Sequence, residues 1–151
     1  MAESVDSLYI RLGLSLSDFE TDLVAAERTV NENIRRLSRQ SELIRLRAQV
    51  EIAGLDETAD AERILQIRTD ALNQQMSLQR DRVRMLTAEL QSLTAAHGEN
   101  AAVTQRAAIR LERERLALSN LEQELSGLNE TSNKRSIRRT AKHVACNADE
   151  T

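Results

Sequence analysis

Two histidines, one cysteine and four closely spaced glutamates have the most scope for chemistry in this chain. An imidazole can ligate a metal or carry a proton near neutral pH. Neither His97 nor His143 has a Glu three residues before it, so the Glu-x-x-His pattern of di-iron helix bundles is missing. There is no His-Glu-x-x-His, and Cys146 alone cannot supply the several thiolates of a structural zinc site. His97 reads instead as a helix-terminal residue set favourably against the helix dipole, and Cys146 as an ordinary thiol. Glu112, Glu114, Glu122 and Glu124 have the look of paired acids, but Arg106, Arg110, Arg113 and Arg115 interleave with them. That spacing gives i,i+3 and i,i+4 ion pairs along a solvated helix face. The glycines are isolated, so no loop can cradle a phosphate. These residues imply no catalytic, metal or cofactor site, and the chain reads as non-enzymatic.

Arg35, Arg36, Arg39, Arg45 and Arg47 form the densest basic patch of the body. A basic helix ahead of a leucine-rich coil is the layout of some dimeric DNA readers. Acids and apolar residues interrupt the patch, and no Asn-plus-Arg base-reading set stands out, so nucleic acid is disfavoured as a partner.

What the sequence does specify is helix pairing. The stripe Leu65, Thr69, Leu72, Met76, Gln79, Val83, Leu86, Leu90, Leu93, His97 alternates steps of four and three. An average step of 3.5 residues keeps one seam facing a partner helix. After His97-Gly98-Glu99-Asn100, the residues Ala107, Leu111, Leu118, Leu121, Leu125 and Leu128 resume the spacing, interrupted by Glu114. Gly98 sits where a helix C′ glycine is expected, and a short connection between long helices favours an antiparallel αα-hairpin. The rival is a chain extended through Gly98 that pairs with other copies of itself. Gln79, Thr69 and Glu114 weaken the apolar seam in either case. The predicted self-association seam is Leu65, Leu72, Met76, Val83, Leu86, Leu90, Leu93, Leu111, Leu118, Leu121, Leu125 and Leu128.

Composition agrees. The chain has no proline, and aromatics are 1%, namely Tyr9 and Phe19, while charged residues are 30%. Leu, Ala, Glu, Arg and Gln dominate, the mix expected of long helices. The net charge of −3 is too small to mark a dedicated polyanion binder. The single cysteine fits a reducing compartment. No run approaches a membrane span, and Met1–Asp6 lacks the basic start of a secretory signal. The expectation is a soluble protein of the bacterial cytoplasm, with no membrane and no small-molecule substrate.

Ahead of the hairpin, Leu8, Ile10, Leu12, Leu14 and Leu16 alternate with other residues, as in a half-buried strand. Ser17 and Glu20 have the spacing of a capping box, which starts a helix carrying Leu23, Val30, Ile34 and Leu37. Ile44, Leu46, Ala48, Val50 and Ile52 alternate again, although Leu43, Leu46, Val50 and Ala53 also make a helical stripe. The strand is preferred, because two strands flanking a helix form a compact unit. The resulting fold is mainly α: a small strand-helix-strand (β-α-β) head at 1–54, a coiled-coil αα-hairpin at 55–130, and a basic, disordered tail at 131–151. Asp56 or Thr58 is the expected N-cap of the first hairpin helix. Lysine is absent before Lys134. Five cations against Asp149 and Glu150 leave the tail at +3, so the body carries −6.

Several runs resemble the N-terminal region of bacteriophage tail tape measure proteins encoded by prophages. They are Leu8-Tyr9-Ile10-Arg11-Leu12-Gly13-Leu14 with Leu16-Ser17-Asp18-Phe19-Glu20, VEIAGLDETADAERILQIRTDALNQQM from Val50 to Met76, QRDRVRMLTAEL from Gln79 to Leu90, and LERERLALSNLEQEL from Leu111 to Leu125. The resemblance covers about residues 8–128 and rests on the order of these runs rather than on a catalytic signature. It implies a structural role in the lumen of the growing tail tube, where chain length sets tail length. It also implies tail tube subunits, the tail tip and tail assembly chaperones as partners. Family members are many times longer, so the chain is expected to be an N-terminal fragment or truncated remnant with the unrelated ending SNKRSIRRTAKHVACNADET. The alternatives are a generic coiled-coil adaptor of the bacterial cytoplasm and, as a weaker third, a nucleic-acid-binding dimer.

Overall fold

A computed structural model of the chain describes secondary structure for residues 5–148 and side chains for residues 21–142. It contains three helices, α1 (Val5–Ala53), α2 (Ala61–His97) and α3 (Ala102–Ala148), and no strand among the described residues. The chain divides into two compact units, Met1–Arg36 and Leu37–Thr151, so the last turns of α1 belong with α2 and α3.

In the first unit, the described side chains follow helical periodicity. Leu23 and Val30 are half-buried and Ile34 is buried, while Val24 faces solvent. An exposed Arg28–Glu32 pair at 3.2 Å supports the outer face.

The second unit is built on reversals at Gly54 and Gly98. Gln75 of α2 donates to the Ser41 carbonyl of α1 at 3.1 Å, and Arg63 lies 3.7 Å from Glu51, so these two helices run antiparallel. The α2–α3 contacts run in the same reversed order. Thr104 Oγ1 donates to the Leu93 carbonyl near the turn, Arg82 meets Glu114 midway, and Arg135 donates to the Ala61 carbonyl at the far end. Antiparallel pairing is therefore the fold of 61–139, and the extended arrangement through Gly98 is not adopted. Leu72, Met76, Leu86 and Leu93 from α2 and Ala107 and Leu111 from α3 form the core, with Leu37 and Ile64 also buried. Leu86 is 0% exposed.

Ile44–Ile52 is a correction: the segment is helical throughout. Its period-two pattern is also an i,i+4 pattern, because Ile44, Ala48 and Ile52 fall on one helix face. Those three are half-buried, Ile44 and Ala48 beside Ile67 and Ala71 of α2 and Ile52 beside Ala71 and Leu72. Leu46 and Val50, 44% and 75% exposed, fall on the other face. A helix pairs its own amides, whereas a strand here would need a neighbouring strand to satisfy them. Leu8–Leu16, the other expected strand, likewise falls within α1, which begins at Val5 rather than at the Ser17/Glu20 capping box. The tail is a second correction. Residues 131–148 continue α3, since neither Gly nor Pro interrupts them, and Arg135 and Arg139 tie the segment to the first turn of α2.

The first reversal is organised by Asp56. Its Oδ1 accepts from the amides of Thr58 and Ala59 at 2.9 and 2.8 Å, and Asp60 Oδ2 accepts from the Asp56 amide at 3.0 Å. Neither Asp56 nor Thr58 is the N-cap of α2, whose boundary residue is Asp60; Asp56 instead caps the turn that precedes the helix. The Ala59 amide, then the Thr58 amide, holds the Asp56 carboxyl below its ordinary value. A lowered folded value means that this contribution is present above the unfolded Asp value of about 4 and is lost as pH falls through the folded one. The Thr58 and Ala59 amide resonances will accordingly shift together in an acid titration, with a midpoint below the unfolded Asp value. A midpoint at or above it would remove the carboxylate from the turn.

At the second reversal, Gly98 has φ 81° and ψ 164°, and its amide donates to the Thr94 carbonyl at 2.9 Å. That backbone region is essentially closed to residues with a Cβ. Nothing lies within 4 Å of where a Cβ would sit, so Gly98→Ala meets backbone strain alone. The substitution should destabilise the hairpin by about 1–3 kcal/mol in urea unfolding. No change would mean that the turn relaxes freely.

Candidate functional site

The surface with the most built-in specificity is the seam between α2 and α3. Of the predicted seam residues, Leu72, Met76, Leu86, Leu93 and Leu111 are buried. Leu65, Val83, Leu90, Leu118, Leu121, Leu125 and Leu128 are half-buried. These residues line the pairing faces of one folded chain. Burial is deepest between Leu72 and Leu111 and fades along α3 beyond Glu114. His97 is exposed in the last turn of α2, where a cation suits the helix dipole.

Gln79 and Glu114, each read from sequence as a weak point of the seam, are partners. Gln79 Nε2 donates to Glu114 Oε2 at 2.7 Å and to the Glu114 backbone carbonyl at 2.8 Å. Arg82 completes the set: its Nη2 meets Glu114 Oε1 at 2.7 Å and its Nη1 donates to Gln79 Oε1 at 3.1 Å. Gln79 is 5% exposed, and the Arg82 and Glu114 side chains are 18% and 16% exposed. Buried polar groups are costly unless paired, and here one layer of three side chains pairs all of its buried polar atoms but Arg82 Nε across the hairpin. Glu114 thus departs from the expected solvated face. Glu112 keeps to it, with an exposed bridge to Arg115 at 2.7 Å.

Sequence reasoning missed Ile64, Glu89 and Thr104. Ile64 is buried one position before Leu65, which shows the seam drifting as a 3.6-residue helix slips against a 3.5-residue repeat. Glu89 is buried with Arg110 3.8 Å away across the seam. Thr104 is 3% exposed, and its hydroxyl closes the turn on Leu93. The available signal was polar residues within about three positions of mirror placement either side of Gly98, such as Glu89 with Arg110, which becomes readable only once antiparallel pairing is assumed.

Where α1, α2 and α3 meet, Ala48, Ala71, Leu72 and Leu121 help line an open groove of about 500 Å³, with Arg45, Arg68 and Glu124. Among the described residues, no three His, Cys, Asp or Glu side chains gather as a metal site. No described helix is long and apolar enough to cross a membrane. Hydrogen bonding by Arg45 draws the exposed Glu42 carboxyl below its usual range, an ordinary surface pair. The chemistry of the seam is recognition between helices. Compared with known proteins, the chain matches no family model, no curated protein and no solved structure.

Proposed function

We propose that this chain is a non-enzymatic structural protein of phage tail assembly, the N-terminal region of a tape measure protein that templates tail length. The observation that carries the reading is paired helix in quantity. The 37 residues of α2 and 47 of α3 correspond to about 55 and 70 Å at 1.5 Å per residue. Helix converts residue count linearly into distance, which suits a chain that sets a length. The resemblance over residues 8–128 supports the same assignment. In this reading the partners are tail tube subunits, the tail tip and tail assembly chaperones. The protein is in the bacterial cytoplasm during assembly and in the tail lumen once incorporated.

The test is co-expression with the tail tube subunit and assembly chaperone of a related prophage, followed by size-exclusion chromatography and negative-stain microscopy. The chain should travel with the chaperone and appear within assembled tubes. Tubes that form without it, while it elutes alone, would overturn the proposal.

A second reading, a coiled-coil adaptor, is favoured by one observation. Leu43, Leu46 and Val50 follow three-four spacing along α1 and are 47%, 44% and 75% exposed. An apolar stripe of this kind is suited to a further helix, from another copy or another protein. Light scattering separates the cases: a mass above the monomer that Leu46→Asp abolishes favours the adaptor.

A further inference from the structure

The basic end of α3 is folded, exposed and asymmetrically charged. Every described residue from Glu130 to Lys142 is exposed. Between Glu130 and Asp149 the chain has no carboxylate, and Lys134, Arg135, Arg138, Arg139 and Lys142 fall within that interval. At about 100° per residue these five cations lie on one face spanning about 140°.

Two of the five are engaged within the chain. Arg135 Nη1 donates to the Ala61 carbonyl at 3.1 Å, and Arg139 pairs with Glu62. Both anchors lie in the first turn of α2 and hold the face in place. The other three, Lys134, Arg138 and Lys142, have neither a hydrogen bond nor an ion pair among the described residues. Their four-residue spacing places successive cations about 6 Å apart along the helix axis. Arg138 also lines an open cleft of about 520 Å³ beside Arg135, Arg139 and Arg63, where the carboxylates of Asp60 and Glu62 offset part of the charge.

From this arrangement we propose that the C-terminal segment of α3 binds the phosphate backbone of nucleic acid without regard to sequence, with Lys134, Arg138 and Lys142 as the contacting cations. A regular row of unpaired charges complements a polymer whose own charges are regularly spaced. Ile137 is the one large apolar side chain from Thr131 to Lys142. Helices that lie on membranes need a broad apolar face, so charge rather than burial is the attraction here. The −6 of the remaining chain opposes binding, but surface charges more than about 10 Å apart are largely screened at 0.1 M salt. The proposal is independent of the tail-assembly reading, which requires no nucleic acid.

Fluorescence anisotropy of a labelled, mixed-sequence 20-base-pair duplex tests it on the full chain. Three phosphate contacts predict an affinity that falls about 40-fold between 50 and 200 mM salt. Lys134→Gln/Arg138→Gln/Lys142→Gln should weaken binding at least about tenfold at 50 mM salt, with an unchanged circular dichroism spectrum. Tighter binding to a single strand of the same sequence would keep the proposal and assign the site to single strands. Absent duplex and single-strand binding at 50 mM salt would overturn it. So would binding untouched by the triple substitution, lost instead on neutralising Arg39, Arg45 and Arg47, or matched by polyglutamate or by vesicles with 30% anionic lipid.

Discussion

Leu86→Ala lowers the stability of the folded chain by about 3–5 kcal/mol, the largest loss expected of any single truncation in the seam. Leu86 is the largest side chain fully enclosed among the described residues. Truncation removes the transfer free energy of its methyl groups and leaves a cavity that two rigid helices can only partly close. Urea unfolding followed at 222 nm measures the change. Leu116→Ala is the control: Leu116 is on α3 but 63% exposed, and its truncation should stay within about 0.5 kcal/mol. Equal effects at the two positions would mean that the α2–α3 seam is not the stabilising contact of the chain.

Glu114→Ala comes next, at about 2–3 kcal/mol. The carboxylate is the hub of the polar layer, and removing it strands the Arg82 guanidinium at 18% exposure and one donor of a buried Gln79. Most of the loss is therefore the penalty on the groups left behind. Converting all three residues to leucine is expected to recover most of it, because an apolar layer needs no partners. The price of that recovery is uniqueness, since three leucines fit equally well one heptad away. Spin labels at Arg84 and Arg113 report it as a broadened distance distribution in the leucine variant, against a single narrow one in the parent. Glu114→Ala within 0.5 kcal/mol of the parent would show that water already satisfies the layer.

The limits of the sequence are instructive at particular residues. The α2 stripe, the break at Gly98 and the renewed stripe in α3 were all legible, because seam periodicity and an isolated glycine are local signals. The match of Gln79 to Glu114 was not, since it depends on which residues lie opposite once the chain reverses. Ile44–Ile52 misled for a different reason. An apolar residue at every second position puts apolar groups on both faces of a helix, and only the presence of α2 decides that Ile44, Ala48 and Ile52 are used. The segment after Leu128 lost its apolar stripe without losing its helix formers. Absence of a buried face was therefore mistaken for absence of structure.

The turn at Gly98 carries one more consequence. Every contact of the hairpin except those of the turn itself joins α2 to α3, and a second copy of α3 offers α2 the same atoms. If the 98–101 connection straightens, two chains can trade third helices and rebuild the Gln79–Arg82–Glu114 layer between them, twice over. The closed and exchanged forms then differ only in the turn and in the entropy of joining two molecules. Chain concentration becomes the variable that selects between them.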